Sequence, residues 1–114
     1  MNGSSDLREK RCKPCEGGVE AMGRDQANAL LAQVTGWVLA DDAKSISRRF
    51  EFKGFYGTMG FVNALAWVAN RENHHPDFAA GYNYCEVTFL THAVGGLSEN
   101  DFICAAKVNA LFEE

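Results

Sequence analysis

The chain is poor in the residues that announce several common kinds of protein. Only two prolines and three histidines occur among its 114 residues. No apolar run approaches the ~18 residues of a membrane-spanning helix. The opening stretch, Met1-Asn2-Gly3-Ser4-Ser5-Asp6, is polar and lacks the apolar centre of a secretory signal. A cytoplasmic protein with its four cysteines reduced is therefore expected. Positive charge is also scarce: 11 Lys/Arg against 15 Asp/Glu give a formal net charge of −4 and a pI near 5.3. Binding a phosphate backbone takes a Lys/Arg patch, and the Arg48-Arg49 pair reads as a solvated strand face. Direct nucleic-acid contact is thus not expected. Gly95-Gly96 has neither the glycine spacing nor the lysine of a phosphate-cradling loop.

What the chain does contain is enough apolar material, 46% hydrophobic residues, for one core without covalent staples. Residues 1–22 are polar and without clear periodicity, which predicts a loosely packed N-terminal arm ahead of a single domain over 23–114. From Asp25 to Thr35, Ala27, Leu30, Leu31 and Val34 recur at helical spacing, with Gly36 as a breaker. Trp37 to Ala40 is a short apolar run closed by Asp41-Asp42. Ile46, Phe50 and Phe52 then alternate with polar residues as a half-buried strand, so the two pieces predict a hairpin. Gly57 opens a second helix with Phe61, Ala64, Leu65 and Val68 on one face. Pro76 cannot continue it and pushes His75 out of the helical region. Pro76 to Ala79 and the alternating Cys85, Val87 and Phe89 predict a second pair of strands. Ser98-Glu99-Asn100-Asp101 is a variant capping box opening a last helix that carries Phe102, Ile103, Ala105, Ala106, Leu111 and Phe112. The order is α-β-β-α-β-β-α. Half-polar strands predict an α+β fold: a four-stranded antiparallel sheet with three helices on one face.

All three histidines fall within the 21 residues from Glu72 to His92. Histidine exchanges protons near neutrality, so a cluster of histidines without a nucleophile points to proton-transfer chemistry. His74 and His75 are adjacent, and neighbours in extended backbone face opposite ways. One is expected deep in a pocket and the other at its rim or holding a neighbour. His92 ends the strand whose face carries Tyr84, Glu86, Thr88 and Leu90. Cys12-x-x-Cys15 has zinc-ligand spacing, but the adjacent histidines lack the gap of a matching pair. Two spectator thiols are expected there, and Cys85 and Cys104 read as small core residues.

His74-His75-Pro76, then Tyr82-Asn83, Thr91-His92, Gly95-Gly96-Leu97-Ser98 and Asp101 resemble the pterin-4a-carbinolamine dehydratases over roughly residues 25–112. The resemblance implies the α+β fold just derived. It also implies removal of water from 4a-hydroxytetrahydropterin to give quinonoid dihydropterin, in support of aromatic amino-acid hydroxylases, with no metal or organic cofactor. By resemblance His74 and His92 form the acid/base pair, while His75 joins them as a catalytic residue that binds and orients the pterin. Pro76, Thr91, Asn70 and Glu72 complete the expected substrate-binding set. Asn70 stands where the family usually carries Glu, four residues before the first histidine, with Glu72 displaced by two. Vertebrate relatives also serve as a dimerisation cofactor of a transcription factor, a role that would use a helix face such as Phe61 and Leu65. A small zinc module through Cys12 and Cys15 is the remaining reading. A sheet covered on one face leaves edges to be dealt with, so a homodimer or homotetramer is expected.

Overall fold

The computed structural model describes residues 3–14 and 20–112, and of residues 3–5 only the backbone. Its elements are α1 (Gly3–Glu9), α2 (Arg24–Leu31), β1 (Val38–Leu39), β2 (Ile46–Glu51), α3 (Phe55–Glu72), β3 (Asp77–Ala80), β4 (Tyr84–Phe89) and α4 (Glu99–Ala110). A 3-10 turn, His92–Val94, joins β4 to α4. The four strands form an antiparallel sheet in the order β1-β2-β4-β3. The fold is α+β, as expected, with one helix more than the sequence suggests.

Period-two alternation decides which sheet face is covered. Ile46 pairs with Phe89 and Phe50 with Cys85, and all four are buried together with Val87. Ser47, Arg49, Glu51, Tyr84 and Glu86 occupy the other face, where the Arg49 guanidinium lies 4.1 Å above the Tyr84 ring. Arg48 corrects the solvated-face reading of Arg48-Arg49. It has the parity of Ile46 and Phe50 and sits half-buried over the Phe50 ring at 4.5 Å. Its Nη1 donates to Thr35 O and to Asn109 Oδ1 of α4. Burial leaves this guanidinium below its usual range. Asn109 Oδ1 also accepts from Trp37 Nε1 at 2.9 Å, so one amide ties β2 and the residue leading into β1 to α4. Gly36 is needed beside this knot. Its φ of +89° disfavours a side chain, and a Cβ there would stand 2.7 Å from Arg48 Nε.

α3 covers the sheet with Phe61, Leu65 and Val68. It starts at Phe55, ahead of the expected Gly57, because Gly54 serves as N-cap and the single Thr58 hydroxyl hydrogen is shared between Gly54 O and Tyr82 O, each 3.0 Å away. Phe61 and Leu65, expected as a possible partner face, are therefore core residues at 6% and 1% exposure. The apolar side chains α3 does expose are Phe55, Tyr56, Met59 and Trp67.

Every residue of α4 from Asn100 to Ala106 is buried, because the helix has the sheet and α3 on one side and α1 on the other. Part of the arm accordingly packs against this helix. Leu7 is 2% exposed within the core, and Lys107 Nζ donates to Arg8 O at 2.8 Å. A single leucine among Asp6, Arg8 and Glu9 carries too little periodicity to reveal this. Truncating Leu7 to Ala should destabilise the protein by about 2–4 kcal/mol. Urea unfolding measures the loss, and an unchanged midpoint would show that α1 contributes no packing.

Candidate active site

The exit of α3 places the first histidine. Asn73 takes the left-handed conformation at φ 52°, which ends the helix, and its N–H returns to Ala69 O and Asn70 O. Asparagine tolerates this region better than most residues. His74 N also donates to Ala69 O at 3.1 Å. The His74 ring then stacks against Phe89, with centroids 6.0 Å apart and planes 10° from parallel. The termination thus lies at Asn73, three residues before the proline that predicted it.

His74 Nε2 is 2.6 Å from Oδ1 of Asp101, which is completely buried in the first turn of α4. An ionised carboxylate only accepts, so Nε2 carries the hydrogen and Nδ1 is left as the basic nitrogen. Among the described residues Nδ1 has no hydrogen-bond partner. The other Asp101 oxygen accepts from Thr91 Oγ1 at 2.8 Å and from Ser98 N at 3.0 Å, the latter half of the capping box. The Thr91 hydroxyl has spent its one hydrogen on Asp101, so the Ser98 hydroxyl donates to Thr91 Oγ1. Three donors thereby compensate a carboxylate that burial would otherwise penalise heavily. Thr91 is pinned again through its backbone: its N–H donates to Gly96 O at 2.7 Å across an isolated bridge. Gly95, at φ +69°, makes the tight return possible. His92 follows Thr91 directly and is exposed in the 3-10 turn rather than on the strand expected to carry it.

A wall of this site comes from the segment Arg11–Pro14. Cys12 N donates to Glu72 Oε1 at 2.8 Å, and Lys13 exchanges two backbone hydrogen bonds with the Asn100 amide, at 3.0 and 2.6 Å. Arg11 Nη2 donates to Arg71 O, and its Nε lies 2.9 Å from Glu72 Oε2. Among the described residues Oε2 has no well-aligned hydrogen-bond donor, and the Arg11 contact is chiefly Coulombic. Lys107 Nζ is 3.8 Å from the same oxygen. Desolvation pushes the Glu72 carboxyl up, but the Cys12 N–H, Lys107 and Arg11 together outweigh it and hold the group below its ordinary value.

The result is a cleft of about 590 Å³ lined by Arg11–Pro14, Arg71–His75, Leu90–Ala93 and Asn100. It contains His74, His75, His92, Thr91 and Glu72 of the expected set. His74 is 12% exposed by its side chain, while His75 and His92 are open to solvent. Glu72 is present, but its carboxylate is committed to the N-terminal segment. Asn70 and Pro76 do not line the cleft. Asn70 is two residues before Glu72, and residues so spaced on a helix face different ways. Asp101 was visible in the sequence as a cap and as part of the family pattern but not as a site residue, since nothing local reveals what its second oxygen meets. Cys15 lies outside the described residues. Among those described, no three His, Cys, Asp or Glu residues are grouped to hold a metal ion.

A family model described as pterin 4 alpha carbinolamine dehydratase matches residues 20–111. The chain belongs to this family. A protein from Nitrosomonas europaea, provisionally named pterin-4-alpha-carbinolamine dehydratase, is 57% identical over 114 residues and covers 99% of both chains. A Legionella pneumophila protein of the same name is 55% identical over 95% of this chain and 96% of its own. Among solved structures, a transcriptional coactivator/pterin dehydratase from Brucella melitensis superposes with a TM-score of 0.76 at 34% identity. That match covers 81% of this chain and 98% of the other. A pterin dehydratase-like protein identified as a RuBisCO assembly factor in the alpha-carboxysome gives a TM-score of 0.60 at 25% identity, over 69% and 92% of the two chains.

The Glu72 clasp has a pH signature. A carboxyl whose folded pKa is lowered stabilises the fold above its unfolded value, near 4.3, and loses that contribution as pH falls through the folded value. Glu72→Gln should therefore be less stable than the parent by about 1–3 kcal/mol at neutral pH. The gap should close as the solution is acidified through the carboxylate range. Urea midpoints of both proteins across pH measure it, and a gap that persists unchanged in acid would contradict the assignment.

Proposed function

We propose that this chain is a hydro-lyase that removes water from 4a-hydroxytetrahydropterin to give quinonoid dihydropterin, returning oxidised pterin to the pool that serves aromatic amino-acid hydroxylases. The observation that carries the reading is the placement of His74, His75 and His92 in one cleft, with His74 backed by a buried carboxylate. The names of the relatives supply the substrate class.

The reaction breaks the C4a–O bond and removes a proton from a ring nitrogen. The leaving oxygen needs an acid and the nitrogen needs a base. His74 is the base: Asp101 holds Nε2–H, presents Nδ1 as acceptor and stabilises the imidazolium that forms, as the carboxylate of a catalytic triad does. His92 donates a proton to the departing hydroxyl, and His75 binds and orients the ring. The pterin nitrogens supply the electron push, so the residues need only move protons. Arg11–Pro14 form one wall of the cleft in which the ring would sit.

His74→Ala and His92→Ala should each slow dehydration by about 10²–10⁴-fold while circular dichroism is unchanged. Near-parental rates in both would overturn the reading. Asp101→Asn should lower kcat and distort its pH profile, because an amide cannot hold the same tautomer with the same charge.

One observation favours a second, partner-binding role. Tyr56, Met59, Asn63 and Trp67 recur at helical spacing, and all four are exposed on α3. The Brucella melitensis structure is described as a transcriptional coactivator as well as a pterin dehydratase. Such a stripe also suits contact with a second copy of the chain, in the homodimer or homotetramer proposed from the fold. Light scattering after size exclusion should give a multimeric mass that Trp67→Lys lowers. A monomer in both proteins would remove this role for the stripe.

A further inference from the structure

Cys12 is where the N-terminal segment, the cleft and the core meet. It is half-buried and lines the cleft, while Cys104 is completely buried on α4. The two sulfurs lie 3.5 Å apart although the residues are 92 positions apart in sequence. Both are free thiols. Their approach does not depend on a loose tail, because the backbone on either side of the Cys12 sulfur is fixed. Cys12 N is held by Glu72, and Lys13 N and O are held by the Asn100 amide. Asn100 is one turn before Cys104 on the same helix, and its carbonyl is 3.6 Å from Cys12 Sγ. The proton-transfer chemistry uses neither sulfur.

We infer that Cys12 and Cys104 are a reversible thiol–disulfide pair, oxidised by a low-molecular-weight disulfide of the glutathione type that enters through the cleft. The electron count closes in two exchanges. Cys12, as thiolate, attacks one sulfur of the small disulfide, giving a mixed disulfide and releasing one small thiolate. Cys104 then attacks the Cys12 sulfur, its proton passing to the second small thiolate as that leaves. Two protein thiols are oxidised and one small disulfide is reduced to two thiols. The order follows from access and acidity. Cys12 faces the cleft, whereas Cys104 is completely buried, and its contact with Cys12 and its burial push its thiol up, so it is not the one to meet a small disulfide first. The sulfurs, 3.5 Å apart, must close by about 1.5 Å to reach the ~2.05 Å of a disulfide.

The consequence is local. The bond would fasten the cleft wall to the helix that also carries Asp101, replacing a hydrogen-bonded clasp with a covalent one.

The test uses the full chain, reduced and then equilibrated with graded ratios of oxidised to reduced glutathione. Alkylation, digestion and mass spectrometry follow. The expected product is a Cys12–Cys104 linked peptide pair that dithiothreitol reverses and that still forms in Cys15→Ser. In the oxidised protein, trypsin should cut after Lys10 and Arg11 several-fold more slowly than in the reduced one. Cys104→Ala should instead stop at the glutathione adduct on Cys12, which reads the first exchange even if the variant is less stable. A dominant Cys12–Cys15 bond in the parent, or a Cys15→Ser protein that keeps both thiols alkylatable, overturns the inference. Because the bond is read by mass, its presence or absence is independent of whether the protein dehydrates a pterin.

Discussion

The buried carboxylate of Asp101 is the constraint on which the rest of the site depends. A charge removed from water must be matched by donors, and here the donors come from three different places in the fold. The His74 ring arrives from the end of α3, the Thr91 hydroxyl from the end of β4, and the Ser98 N–H from the start of α4. Satisfying one side chain thus positions a helix exit, a strand end and a helix entry against each other. It also fixes which nitrogen of His74 is left for chemistry. The stacking of His74 on Phe89 carries that orientation down into the core.

A second, independent ionic group closes the other side of the cleft. Glu72 is the last residue of α3, and its carboxylate receives the Cys12 N–H and the charges of Arg11 and Lys107. Its burial would be costly without them, so the N-terminal segment and α3 hold one another. The family model begins at residue 20, whereas the Nitrosomonas europaea relative aligns over 99% of this chain. The N-terminal half of the clasp, Arg11 and Cys12, therefore lies outside the residues the family model matches but inside the length shared with that relative, while Glu72 and Lys107 lie within both. The catalytic proposal rests on the common part; the cleft wall and its thiol belong to the arm.

Much of the architecture was legible because alternation and helical periodicity are local properties. Ile46 to Phe52 and Cys85 to Phe89 announce strands with one apolar face, and the structure pairs them at the centre of the sheet. Ser98 and Asp101 announce a helix start, and Pro76 sets a limit beyond which α3 cannot run. Boundaries were less legible. Gly54 and Asn73, which bound α3, act through backbone conformations that the pattern of apolar residues does not report. Arg48 was misjudged because its charge suggested solvent, whereas its parity placed it with Phe50; the amide of Asn109 and the carbonyl of Thr35 make that burial tolerable. Phe61 and Leu65 were assigned correctly to one helix face, but only packing reveals that this face meets the sheet.

By itself, then, the sequence determined the order of elements, the covered face of each strand and the crowding of all three histidines into one short region. These follow from spacing along the chain and from residue chemistry. Only the tertiary structure decided that Asp101 and His74 share a hydrogen bond and that Asn70 faces away from the cleft Glu72 helps to line. Only it decided that Leu7 is a core residue and that Cys12 meets Cys104 rather than lying idle in a tail. Each is a contact between residues far apart in sequence, or a direction around a helix relative to a neighbour. Such contacts exist only once the sheet has formed and α4 has been enclosed between it and α1.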